Sequence, residues 1–243
     1  MIRVRDLAWL PAMAAAAGCM ADVDPPWQLN HDRIVAVRAE PPGIAAGETS
    51  RIDALLAHKG QKTRVATPDL AMVTSPASLA DVLAFRGGSW VVTVPSEDRM
   101  AAARSELQLA AGAAVPLQIG VSYGGDPRIP GEALVATKTI ALGQPAANPT
   151  LDGLMIDGKP IDPAAPSADL TVGKLVNVPL SVNANDVDFD VTWVSSCGTM
   201  HDFDLPAAYL RVETADPQTG ELGVVLRDAH GGVAWKVWSI KAE

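Results

Sequence analysis

The chain has 243 residues, a hydrophobic fraction of 48% and a formal net charge of −9, enough for one large globular domain or two smaller ones. That acidity argues against a nucleic-acid backbone as partner, which demands clustered Lys and Arg, and it gives no attraction to anionic lipid headgroups. With 2 cysteines, Cys19 and Cys197, the fold has to rest on packing and not on a disulfide framework.

The first element is not part of a folded body. Arg3 and Arg5 precede the apolar run 7–18, LAWLPAMAAAAG, interrupted only by Pro11. A hydrocarbon core needs about 20 residues of helix, so this run is too short to span. It has the length of the apolar region of a secretory signal peptide, followed by small residues suited to cleavage. The stretch Ala16-Ala17-Gly18-Cys19 resembles the lipobox of bacterial lipoproteins. That resemblance implies cleavage before Cys19, a thioether-linked diacylglycerol on it, and a place in the cell envelope. Ala17 and Gly18 match the family's small positions, whereas Ala16 stands where the family prefers Leu. The competing reading is a plain signal peptide that happens to end near a cysteine. Each buried acyl CH₂ contributes about 0.8 kcal/mol, and more than one chain makes attachment long-lived. Met20 in place of Asp implies the outer membrane under the enterobacterial sorting rule. Residues 21–32 are acidic and broken by Pro25-Pro26, which predicts a non-helical tether. The expected organisation begins with a signal peptide over 1–18 and a lipidated tether over 19–32.

From residue 33 the pattern becomes short alternating runs between turn formers. "RIVAVRAEPPGIAAGE" predicts a strand, a Pro-Pro bend and a turn. "SWVVTVP" puts Trp90, Val92 and Val94 on one face, and "VPLQIGVSY" does the same with Val115, Leu117, Ile119 and Val121. Period two with turn signals every ten or so residues predicts an antiparallel sandwich over 33–145. Two helical stretches interrupt it: a short helix after Ser78, and a longer one capped by Ser96. The second has Glu97 and Asp98 at its positive end, Met100, Ala103, Leu107 and Ala111 as its buried stripe, and Gly112 as its stop.

Residues 146–169 are Pro-rich and have no strand-length apolar run beyond "LMI", so they read as a linker. A second sandwich is expected over 170–243. "DVDFDVTWV" is its clearest strand, with Val187, Phe189, Val191 and Trp193 inward and Asp186, Asp188, Asp190 and Thr192 outward. A Trp in a central strand, with later hairpins closing the sheet through "AHGG", is an immunoglobulin-like pattern. The motifs "VTWVSSCGTM" and "LGVVLRDAHGGVAW" resemble bacterial Ig-like and polycystic-kidney-disease-type modules over roughly 175–240. Those modules often read W-x-x-S-x-G with a final D-x-x-G-G hairpin. The whole arrangement resembles lipoproteins of Gram-negative bacteria, a likeness that brings no activity with it. The fold class is therefore mainly β: two Ig-like antiparallel sandwiches, the first with a short helical insertion. In some related modules a cysteine at the Cys197 position pairs with one in the penultimate strand. "GELGVVLRD" offers none, so Cys197 reads as a buried, inert thiol.

Chemistry-bearing patterns are sparse. His31, His58, His201 and His230 are scattered, without the spacing of a zinc site; only "HDFD" brings Asp202 and Asp204 near His201. The run "NANDVDFD" offers Asn183, Asn185, Asp186 and Asp188 as oxygen ligands for calcium, with Asn185, Asp186 and Asp188 as the candidate set. The same aspartates equally suit the wet face of a strand. There is no phosphate loop, and no catalytic residue and no cofactor is assigned. The expectation is a lipid-anchored, non-catalytic binding or structural protein that meets an envelope protein or a glycan. The alternative is an envelope hydrolase or its accessory subunit, with a cleft shaped by the helical insertion.

Overall fold

The computed structural model describes residues 25–125, 131, 133–164, 169–183 and 189–243. The first module contains β1 (Arg33–Glu40), β2 (Gly43–Ile44), β3 (Thr49–Ala57), β4 (Arg64–Ala66), β5 (Leu70–Ser75), β6 (Leu83–Arg86), β7 (Ser89–Thr93), β8 (Val115–Tyr123) and β9 (Leu134–Leu142). They form one sheet in the order β1-β3-β7-β6, with β4 added to β3, and a second in the order β2-β9-β8-β5. Alternation decides the facing: Val115, Leu117, Ile119 and Val121 of β8 are buried, whereas Pro116 and Gln118 are exposed. Val92 is buried as well, with Trp90 and Val94 packed against the same core.

The helical insertion is shorter than the sequence pattern predicts. In place of the short helix expected after Ser78 there is a single 3-10 turn, Ala77–Leu79, that includes it, and the following apolar residues lead into β6. Helix α1 (Glu97–Glu106) begins after Ser96, whose hydroxyl makes no capping bond, and buries Met100 and Ala103. It stops a turn before the expected Gly112. Gln108 adopts a left-handed φ of 56°, its N–H donates to Ser105 O (3.2 Å) and the Leu109 N–H donates to Arg104 O (2.8 Å). That is a Schellman termination with glutamine in the place glycine usually takes. Ala111 therefore leaves the buried stripe and is exposed, while Leu107 is half-buried. The Glu106 carboxylate accepts from the N–H groups of Ala77 (2.7 Å) and Ser78 (3.1 Å), tying helix to turn.

The second module contains β10 (Asp152–Ile156), β11 (Lys159–Pro160), β12 (Leu170–Val172), β13 (Asn177–Asn183), β14 (Asp190–Ser195), β15 (Thr199–His201), β16 (Ala207–Arg211), β17 (Thr219–Arg227) and β18 (Val233–Ala242). Its sheets run β11-β10-β13-β16-β15 and β12-β18-β17-β14. The segment expected to be linker thus supplies β10, and Leu151, Leu154 and Ile156 join the second core. Gly153, at φ +56°, and a register shift between Asp152 and Met155 break the alternation that would have revealed it.

Setting aside the added β4 and β11, the two modules have one topology. The first, third, sixth and fifth strands make one sheet; the second, eighth, seventh and fourth make the other. The second strand of each module pairs in parallel with the last. This is the strand order of a constant-type immunoglobulin sandwich, built twice from unrelated residues. Trp193 is fully buried, and its indole N–H donates to Leu205 O (3.1 Å). Its strand is not central, contrary to the pattern: among the described strands of its sheet β14 neighbours β17 alone and lies at the end.

Candidate functional site: the junction between the sandwiches

Several strands lack alternation because both of their faces are buried. In β3, Ala54 and Leu56 belong to the first core while Leu55 and Ala57 point the other way; in β17, Val224 and Leu226 belong to the second core while Val225 points away. These outward residues meet one another. Val35 and Ala36 of β1, Leu55 and Ala57 of β3, and Val194, Val225 and Val233 of the second module form a separate apolar cluster, with Trp235 and Val237 against it. The register shift between Ile34 and Ala36 turns Val35 and Ala36 into this cluster while Val37 and Ala39 stay in the first core. Four sheets therefore stack face to face, with the two inner ones joining the modules. Full burial of one Val or Leu contributes about 1.5–3 kcal/mol, so a seam of this kind holds the modules as one body. Gly223 sits where an added Cβ would lie 3.0 Å from Val194 Cγ2.

Polar groups frame the seam. The Arg227 guanidinium donates from the second module to Val35 O (2.8 Å) and to Thr192 Oγ1 (3.0 Å). In the opposite sense, Lys138 Nζ of β9 donates to Gly231 O in the β17–β18 turn. The Glu221 carboxylate accepts from Thr63 N–H (2.8 Å), and Lys62 Nζ donates to Ser239 Oγ (2.9 Å). Asn148, in the connection between the modules, donates to Ala39 O (2.9 Å) and accepts from Val233 N–H (2.8 Å). Arg38 pairs bidentately with Asp53 and lies 4.3 Å over the Trp235 ring. Burial pushes the Lys138 ammonium down to about 8, assisted by Arg227 and opposed by Asp228 and Asp53. Burial also lowers Arg227, with Asp190 opposing.

The N-terminal segment enters this site. Of the expected tether over 19–32, residues 25–32 cross the junction instead of hanging free. Leu29 is 2% exposed within the seam, and Trp27 packs against the second core. The Leu29 N–H donates to Ser195 O (2.9 Å) and the Ser195 N–H to Trp27 O (2.9 Å), so residues 27–29 add to the open edge of β14 in parallel. Arg33 holds the carbonyls of Pro26 and Gln28, and Asp32 accepts from Lys59 N–H (2.9 Å).

Clefts flank the seam. One of about 570 Å³ is lined by Asn30, Lys62, Asp169, Ser196, Glu221 and Lys241. Another of about 590 Å³ is lined by Arg33, Lys138, Asp190, Arg227 and Asp228. Both mix charges of either sign, and their cations already serve as structural donors. A smaller apolar groove of about 340 Å³ lies on the far face of the first module between Leu70, Met72 and Val135.

Of the residues singled out from sequence, Cys19, Asn185, Asp186 and Asp188 lie outside the described residues, as does Val187. Asn183 is exposed at the end of β13. His201 stacks on Tyr209, ring centroids 4.4 Å apart. Among the described residues no group of three His, Cys, Asp or Glu is placed to hold a metal ion. Cys197 is buried, and burial pushes its thiol up to about 11. The junction itself went unread in the sequence. Its signal was the loss of alternation in "DALLA" and "LGVVL", the mark of strands covered on both faces.

No known family model matches the chain, and no curated sequence is similar to it. Among solved structures it is similar to the N-terminal Ig1-2 module of the Drosophila receptor protein tyrosine phosphatase DLAR, at 10% identity and a TM-score of 0.29, over 88% of this chain and 99% of that one. It is also similar to the fibronectin(III)-like modules of CbhA from Clostridium thermocellum, at 12% identity and a TM-score of 0.26, over 86% and 94%. Murine CEACAM1b gives 13% identity and a TM-score of 0.25, over 86% and 100%. Likenesses this remote carry no argument; the assignment of two immunoglobulin-like sandwiches rests on strand order and packing.

Proposed function

We propose that this protein is a lipid-anchored component of a Gram-negative cell envelope, held in the outer membrane through Cys19, with a non-catalytic binding or structural role. The observation that carries the reading is the pairing of Ala17-Gly18-Cys19, at the end of an export-type apolar run, with a body whose buried charges hold two sandwiches together. Lys138, Arg227 and Glu221 are engaged across the seam. A rigid pair of sandwiches presents loops and sheet edges in fixed relation, which suits contact with an envelope protein or a glycan. Attachment has to come from the acyl chains, because an acidic body is not drawn to anionic lipid. Among the described residues no helix is long and apolar enough to cross a membrane.

The test is metabolic labelling with an alkyne fatty acid in a Gram-negative host, comparing the wild type with Cys19→Ser. Label and membrane association that vanish in the variant support the anchor; an unlabelled, freely soluble wild type overturns it. For the body, turnover of a substrate that depends on one polar side chain would displace the non-catalytic reading.

A further inference from the structure

At the end of β14 the chain pairs a sheet edge with a segment from outside both sandwiches. A sheet edge presents unpaired N–H and C=O groups and binds extended chains readily unless it is covered. Residues 27–29 cover it with two backbone bonds, both to Ser195, while the Trp193 N–H on the same edge already donates to Phe203 O (2.7 Å), so the stretch that a segment can occupy is the Ser195 end. Pro25 and Pro26 lack N–H groups and cannot lengthen the ladder. The side chains supply the rest: Leu29 fills a place in the seam and Trp27 leans on the second core.

We propose that the outer edge of β14 is a strand-binding site, filled here in cis by residues 27–29 and shaped for an extended partner segment with large apolar side chains two residues apart. The occupant is identified by the one that the edge already holds: a backbone to meet both the N–H and the C=O of Ser195, one apolar side chain for the seam, and a second for the flank of the second core. Withdrawal of the cis segment uncovers the edge and removes Leu29 from the seam, so occupancy of the edge and coupling of the modules are linked. A cis strand competes at an effective concentration in the millimolar range. A partner therefore gains access chiefly when the segment is released. The inference goes beyond the anchoring reading and does not depend on it, because it concerns only the body in solution.

The probe is a fluorescein-labelled synthetic peptide of residues 25–32, PPWQLNHD, titrated by anisotropy into the full chain and into a Trp27→Ala/Leu29→Ala variant. The expected result is saturable binding to the variant and binding at least tenfold weaker to the wild type, whose own segment occupies the edge. The same peptide with both apolar residues replaced by Ala should not bind the variant. Hydrogen exchange should show the Ser195 amide losing protection in the variant and regaining it with peptide, while amides of β8, remote from the edge, stay protected. If the double variant fails to fold, Leu29→Ala alone takes its place. Equal binding to both proteins, or none to a folded variant, overturns the proposal.

Discussion

Lys138 gives the sharpest quantitative test of the junction. Its ammonium is buried between the modules, donates to Gly231 O, and is faced by Asp228, Asp53 and Arg227. Burial brings it from an ordinary 10.5 to about 8. In the interval between these values the unfolded chain holds a proton that the folded protein has released, so stability rises with pH. A shift of this size corresponds to about 3 kcal/mol when complete, of which about 2 kcal/mol is realised by pH 9.5. Cys197 and Tyr123 shift in the opposite sense, so the Lys138 contribution has to be isolated by difference. Urea unfolding of the wild type and Lys138→Met at pH 7.0, 8.5 and 9.5 does so. Relative to the variant, the wild type should gain about 2 kcal/mol between the first and last pH. A difference that stays constant across these values would refute the claim that the amine is enclosed by the junction in the folded state.

Leu55→Ala and Leu56→Ala remove neighbouring buried side chains from the seam and the first core respectively, and each should cost about 2–5 kcal/mol. Only Leu55→Ala should split the calorimetric transition in two; identical single transitions would deny the seam its coupling role. Cys197 should resist iodoacetamide at pH 8 until the protein unfolds. Because its folded value of about 11 lies above the ordinary 9.0, its contribution to stability should fall as pH rises between them, and Cys197→Ala should flatten that fall. Gln108→Gly, at the left-handed position ending α1, should stabilise by about 1 kcal/mol in thermal unfolding. A loss of stability would show that the glutamine side chain holds that turn.

Alternation and turn residues determined a good deal by themselves. The inward set of β8, the buried Trp193, and the β17–β18 hairpin closed by "AHGG" follow from period two and turn chemistry, which act over a few residues. So does the division into two β-sandwiches. Other features depended on partners far away in the chain. Strand β10 lay hidden among prolines because Gly153 and a register shift erase its period, and only pairing with β13 restores it. Helix α1 ends at a left-handed glutamine because two returning backbone bonds hold it there, where sequence preference favoured the later glycine. Residues 27–29 looked like part of a solvated tether until the edge of β14 and the gap for Leu29 gave them somewhere to bind. The junction is the deepest case. A residue's hydrophobicity records that something buries it, not what does, and Leu55 and Leu56 are the same side chain in consecutive positions. The direction of each Cβ along β3 sends one to the first module's own core and the other to the second module. Only the assembled sheets decide that.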